Sequence, residues 1–291
     1  MTNRPATRPP IGLIGLGLMG AALAERLLAA GLAVVGFDVN PKQRRALEKL
    51  GGASADSVAE VATSCHRVVL SLPNSTVVAE VVAAMRGKLR RGALLLDTTT
   101  GDPQATTRLA VSLRRRGVRY VDATIIGSSA DLRAGRALLV MGGAARTIAA
   151  ASELLDALST SRLHVGPAGA GARMKLVVNL VLGLNRAVLA EGLAFARRIG
   201  VPPARALEVL RAGAAYSRVM DTKGDRMLAG DFRKPVAKLS QHLKDVRLIL
   251  ALGAKHHAKL PLSKLHHRLL EQAEAAGCGE LDNSAILRAF A

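Results

Sequence analysis

Lys175 and Asn179 stand four residues apart. In a helix that spacing puts both side chains on one face, one turn apart. A lysine ammonium suits a reaction in which an oxygen gains negative charge, because it supplies a proton and stabilises the charge as it grows. Hydride delivery from a nicotinamide to a carbonyl is such a reaction, and in reverse the neutral amine serves as the base. Asn179 can orient the lysine or the substrate hydroxyl.

A second constellation lies near the start. Gly15-Leu16-Gly17-Leu18-Met19-Gly20 spells G-x-G-x-x-G, and Asp38 follows Gly20 by 18 residues. The motif comes after the apolar run Ile11–Ile14 and opens the helical pattern Ala21–Ala30, which is the context that makes it a dinucleotide fingerprint. Gly15 permits a tight turn, Gly17 lets backbone approach a pyrophosphate, and Gly20 lets helix and strand pack closely. The helix start offers N–H groups to the phosphates. Asp38 accepts from ribose hydroxyls and repels a 2′-phosphate, so NAD(H) is expected over NADP(H). Lys42, Arg44 and Arg45 nearby soften that preference. Leu72-Pro73 and Asp97-Thr98-Thr99-Thr100 end two further strands, where open parallel sheets bind ligands. They are expected to line the nicotinamide half.

The elements that must position these residues follow two rhythms. Strand patterns at Ile11–Ile14, Ala33–Phe37, Arg67–Leu72, Ala93–Asp97, Arg119–Ala123 and Ala137–Met141 alternate with helical stretches. That alternation predicts an α/β Rossmann fold, a doubly wound parallel sheet, over 11–168. After the glycine-rich Gly166–Gly171 only helical patterns appear, so 169–291 is read as an all-α substrate and dimerisation domain joined by a long interdomain helix. Residues 1–10 read as a disordered leader. The helix over Ala172–Ile199 is apolar on nearly every face, and such a helix has to be buried all round. A second subunit would cover it, so a homodimer or homotetramer is expected.

Composition narrows the classes. The 291 residues carry 41 Lys and Arg against 22 Asp and Glu, a net charge of +19, with 2% aromatic residues and no Trp. A basic surface attracts anionic metabolites and cofactors. Nucleic acid is disfavoured as a partner, because stacking platforms need aromatics. Cys65 and Cys278 form no ligand spacing and fit a reducing compartment. Arg4, Arg8 and the run Ile11–Ala24 imitate a signal peptide, but four glycines puncture the run and the dinucleotide motif explains it. Leu176–Ala196 contains Asn179, Asn185, Arg186 and Glu191, so no uncharged run there reaches the length a bilayer requires. The expected location is the cytoplasm, with no membrane partner. His256-His257 and His266-His267 read as solvated helix residues and no metal is expected, since adjacent residues point to different faces.

Gly15–Gly20, Asp97-Thr98-Thr99-Thr100, Asp122-Ala123, Lys175 with Asn179, and Lys244-Asp245 together resemble the β-hydroxyacid dehydrogenase family over residues 11 to about 285. The resemblance implies a Rossmann domain followed by a helical domain and NAD(P)-dependent hydride transfer on a small β-hydroxyacid or its semialdehyde. It further implies Lys175 as acid/base with Asn179 assisting, Thr100 at the nicotinamide end, and Lys244 reaching the cofactor. Its substrate loop reads Asp-Ala-Pro-Val-Ser-Gly-Gly, whereas this chain has Asp122-Ala123-Thr124-Ile125-Ile126-Gly127-Ser128. Ile126 cannot donate a hydrogen bond. Capture of a small anionic substrate is therefore expected from the Gly127 and Ser128 amides or the Ser128 and Ser129 hydroxyls, with Ile126 and Asp245 lining the site. Asp131 stands where a glycine is common, and Val178 replaces a second Asn. Two other readings share this fold: a non-catalytic cofactor- or nucleic-acid-binding protein, and an imine-reductase-like enzyme. Retention of Lys175 argues against both.

Overall fold

The computed structural model describes residues 9–290, so most of the leader expected at 1–10 lies outside the described residues. Among the described residues, eight strands form one sheet: β1 Ile11–Ile14, β2 Val34–Phe37, β3 Ala53–Ser54, β4 Arg67–Leu70, β5 Leu94–Asp97, β6 Arg119–Ile126, β7 Leu138–Gly142 and β8 Ser161–Gly166. Their order is β3-β2-β1-β4-β5-β6-β7-β8. All pairings are parallel except β6 with β7. This is the doubly wound Rossmann arrangement, with the chain reversing direction across the sheet at β1 and β4.

Alternation along the strands builds a core on each face. Leu13, Val69, Leu96 and Val121 pack on one side, while Ile14, Val68, Leu70 and Leu95 pack on the other. Successive strand residues point to opposite faces, so a sheet covered on both sides needs apolar residues throughout. The run that imitates a signal peptide supplies β1 and the helix Leu18–Ala29 of this sheet.

β6 extends three residues beyond the expected end at Ala123. Thr124, Ile125 and Ile126 pair with Val140, Leu139 and Leu138 of β7. β-Branched side chains favour the extended state, and Thr124 keeps the N–H that a proline would lack. Ile126 is therefore the last strand residue rather than part of a loop.

The chain divides into two compact units, 1–175 and 176–291. The second is helical, with helices Pro203–Ala212, Leu239–Lys255 and Pro261–Ala273 and a terminal 3₁₀ segment Asn283–Phe290. Its core gathers Leu189, Leu193, Leu207, Phe232, Leu243 and Leu270, among others. The long helix runs Ala170–Arg198. Contrary to the expectation from its polar residues, it is long and apolar enough to cross a membrane, with mean hydropathy 1.5 over 18 residues. Arg186, counted against such a span, is buried in protein, and Ala187, Leu189, Ala190 and Leu193 belong to the helical core. Those are properties of a core helix.

His266 also departs from expectation. It is buried, with its ring 5.2 Å from that of His242. Burial, then the Arg186 and His267 charges, push it down to about 4. A desolvated imidazole keeps its proton poorly, so His266 is neutral at pH 7. Side-chain burial on a helix follows which neighbours pack there, and two adjacent histidines carry no periodic signal for that.

Candidate active site

The glycine motif is built at the carboxyl end of β1. Gly15 has φ +89°, and a Cβ there would lie 2.2 Å from the Ser71 carbonyl oxygen at the end of β4. A Cβ on Gly20 would lie 1.9 Å from the Gly15 carbonyl oxygen. Backbone blocks both positions, so the turn exists only with glycine. Gly17 is different: it is exposed, and a Cβ there meets nothing within 4 Å. Protein packing does not demand that glycine, whereas a ligand brought onto the backbone does. The helix Leu18–Ala29 begins here, and its first N–H groups have no carbonyl one turn earlier. The residues present thus fit a dinucleotide pyrophosphate, with Leu18 exposed, Met19 half-buried and Leu16 buried as the turn's apolar anchor.

Asp38 is joined to this turn. Its Oδ2 accepts from the Leu16 amide at 2.7 Å and its Oδ1 from the Asn40 amide at 2.8 Å. The Arg44 guanidinium donates to the Asp38 carbonyl at 2.7 Å and lies 5.7 Å from the Phe37 ring centre. The carboxylate is fixed beside the glycine turn, at the end of β2, where an adenosine ribose would be read.

At the next two strand ends, Leu72 is half-buried and Pro73 exposed. The Thr98 hydroxyl donates to the Leu70 carbonyl at 2.8 Å, and the Thr99 hydroxyl accepts from the Leu72 amide at 3.1 Å. Thr98 and Thr99 therefore lash β5 to β4, and Thr100 is the half-buried residue beyond them. Asp97 is buried and accepts from the Tyr120 hydroxyl at 2.7 Å and the Thr99 amide at 2.9 Å. Burial raises its carboxyl despite these donors.

Lys175 sits in the second turn of the long helix, half-buried, and its Nζ donates to the Ile125 carbonyl at 2.6 Å. The amine is thereby held near the carboxyl end of β6, the side of a parallel sheet where ligands bind. Asn179 follows one turn later on the same helix. Within the second unit its Nδ2 donates to Asp245 Oδ2 at 2.9 Å, and Lys244 Nζ lies 3.0 Å from Asp245 Oδ1. Asn179, Lys244 and Asp245 thus form one polar group on two helices.

Gly127 takes φ +137° directly after β6. The Ser128 amide donates to Asp131 Oδ2 at 2.9 Å, the Ser128 hydroxyl donates to the same oxygen at 2.7 Å, and Ser128 caps the short helix Ser129–Arg133. The Ser129 residue is buried. Asp131 thus engages both Ser128 donors that the sequence offers to a substrate anion. Sequence reading did not find this internal acceptor, although Ser128 and Asp131 three residues apart carry the capping-box spacing.

Two profiles match the chain: the NAD binding domain of 6-phosphogluconate dehydrogenase over residues 10–166, and the NAD-binding of NADP-dependent 3-hydroxyisobutyrate dehydrogenase over 169–290. The chain is 30% identical over 284 residues to 2-(hydroxymethyl)glutarate dehydrogenase of Eubacterium barkeri, covering 96% of this chain and 94% of that protein. It is likewise 30% identical to 3-sulfolactaldehyde reductase of Escherichia coli (strain K12), covering 95% and 94% respectively. Among solved structures, 3-hydroxyisobutyrate dehydrogenase from Salmonella typhimurium superposes with TM-score 0.88 at 25% identity, covering 96% of this chain and 98% of that one. With the glycine turn, its acid and the helix-borne lysine in place, the chain belongs to the β-hydroxyacid dehydrogenase family of NAD(P)-dependent oxidoreductases.

Proposed function

We propose that this enzyme interconverts a small anionic β-hydroxyacid and its semialdehyde, with Lys175 as the general acid and base. The observation that carries the reading is the Lys175 amine, held 2.6 Å from the Ile125 carbonyl near the carboxyl end of β6. When bound, the nicotinamide supplies or accepts the hydride. Gly15, Leu16, Gly17, Leu18, Met19 and Gly20 would cradle its pyrophosphate, and Asp38 the adenosine ribose. Leu72, Pro73 and Thr100 would border the nicotinamide half, with Lys244 a further cofactor contact. Lys175 Nζ gives its proton to the substrate oxygen as that oxygen becomes negative, and takes it back in the oxidative direction. Asn179 and Asp245 orient the substrate, and Ile126 closes its apolar side. Since Asp131 already engages Ser128, the Gly127 amide and the Lys175 charge are the principal anchors for the substrate's anionic group. A panel of small hydroxyacids with NAD+ and of semialdehyde acids, such as succinic semialdehyde, with NADH tests the reading through absorbance of the reduced nicotinamide. Turnover on the panel is expected. Salt-sensitive DNA binding with no turnover would point to the non-catalytic alternative.

NAD(H) is the favoured cofactor in this reading, because the Asp38 carboxylate repels a 2′-phosphate. Like-charge contacts cost up to several kcal/mol, so kcat/KM for NADH is expected to exceed that for NADPH by about tenfold or more. Steady-state kinetics showing the reverse would remove Asp38 from this role and give it to Arg44.

The long helix supports a second subunit. Val177, Val181, Val188, Phe195 and Ile199 are each at least half exposed and recur along one stripe at spacings of four and seven residues. Such a stripe is a helix-packing seam. A homodimer or homotetramer is expected by light scattering, and Val188→Arg with Phe195→Arg is expected to yield monomers. A wild-type monomer would contradict this. Cys65 and Cys278, both buried and free, are in keeping with a cytoplasmic enzyme.

A further inference from the structure

We infer that Asp122 is a positioning residue for Lys175: its carboxylate clamps the first turn of the long helix to β6 and thereby sets where the Lys175 amine lands. The inference rests on the proposed role of Lys175. Asp122 is 2% exposed, and both of its oxygens are committed to the helix start. Oδ1 accepts from the Gly169 amide at 2.8 Å, and Oδ2 accepts from the Ala172 amide at 2.9 Å. Amides at a helix start lack carbonyl partners one turn back, and a carboxylate there also meets the positive end of the helix dipole.

The space around this carboxylate is made by glycine. A Cβ on Gly142, the β7 residue paired with Asp122, would lie 2.6 Å from Oδ1, and one on Gly171 would lie 2.8 Å from Oδ2. Gly169 itself has φ +91°. Two residues further along β6, the Thr124 hydroxyl lies 3.2 Å from both the Gly171 and the Val140 carbonyls. One residue beyond that, the Ile125 carbonyl receives Lys175 Nζ at 2.6 Å. A single strand thus holds the helix at 122 and 124 and meets its reactive amine at 125. Lys175 lies three residues past Ala172, so a loosened clamp moves the amine with the turn it belongs to.

Protonation weakens the clamp, because a neutral carboxyl loses one acceptor and the charge that faces the helix dipole. Burial pushes the Asp122 carboxyl up to about 6 against the lowering effect of the Gly169 and Ala172 amides. The Asp97 charge, on the residue paired with Asp122 on β5, adds to the upward push, and β7 on the other side carries no titratable residue. Charged Asp122 is the clamping form, so kcat falls as pH drops through about 6.

The test compares the full-length wild type with Asp122→Asn, Gly142→Ala and Lys175→Ala. In the absence of cofactor, whichever of the Gly169 and Ala172 amides faces the carboxamide NH2 in Asp122→Asn is expected to exchange about tenfold faster, the equivalent of one lost hydrogen bond. With NADH and the panel substrate that turns over fastest, its kcat is expected to fall by about tenfold or more while the NADH Kd is unchanged, and the acid limb near pH 6 disappears. Gly142→Ala, which keeps the carboxyl but crowds it, is expected to displace the limb, and serves should Asp122→Asn not fold. Unchanged amide exchange, a wild type with no limb, or a limb that survives in Asp122→Asn would each overturn the inference. Near-normal turnover in Lys175→Ala would instead overturn the proposed function. Its loss alongside an unaffected Asp122→Asn rejects the clamp alone.

Discussion

Lys175→Ala is expected to bind NADH as tightly as the wild type while kcat falls by about 10² to 10⁴, the range for a lost general acid. The separation follows from where the parts lie. The dinucleotide turn draws on the ends of β1, β2 and β4, whereas the amine comes from a helix that starts after β8 and rests on β6. Removing the side chain leaves the Asp122 and Thr124 ties to Gly169, Ala172 and Gly171 in place, so the helix start remains held. Loss of NADH binding in this variant, measured by fluorescence, would show that the amine serves the cofactor instead of the proton.

Gly17→Val and Gly20→Val are expected to fail in opposite ways. At Gly20 the new Cβ meets the Gly15 carbonyl oxygen at 1.9 Å, a backbone atom that cannot turn aside. Overpacking of this kind costs about 3 kcal/mol or more, so a sharply lowered melting temperature and no cofactor binding are expected. At Gly17 a Cβ meets nothing within 4 Å, so the variant is expected to fold with an unchanged melting temperature. Its side chain then stands where the pyrophosphate approaches, and an overlap of about 1–3 kcal/mol weakens NADH by roughly tenfold to a hundredfold. A Gly17→Val protein that binds NADH normally would remove Gly17 from the cofactor cradle.

Much of this arrangement is legible in the chain. Six strands announce themselves because a sheet covered on both faces demands unbroken apolar runs. β3 is only Ala53–Ser54, too short for any pattern. β8 reads Ser-Arg-Leu-His-Val-Gly and lies at the sheet edge with no buried residue, so it shows no apolar run. The short helix Val58–Ser64 carries its signal in its cap: Ser57 accepts from the Glu60 amide, and Glu60 from the Asp56 amide. The glycine motif and Asp38 can be read at sight, since each acts within one βαβ unit. Asp122 could be noticed but not understood. Its partners, Gly169 and Ala172, are 47 and 50 residues away, and only the folded sheet brings them to the carboxylate. The engagement of Ser128 by Asp131 is local, three residues apart in a capping box, and is legible from that spacing.

The central claim is that an amine at position 175 carries the proton, and restoring that amine chemically tests it most directly. Lys175→Cys is expected to be nearly inactive, and alkylation with 2-bromoethylamine rebuilds a lysine-length amine on the thiol. Cys65 and Cys278 are buried, and burial pushes the Cys65 thiol up to about 11, so the new cysteine is the reactive one. Recovery of a large part of wild-type turnover, with NADH binding constant throughout, is the result expected. Full alkylation with no recovery, or a Lys175→Cys protein that already turns over like the wild type, would contradict the account.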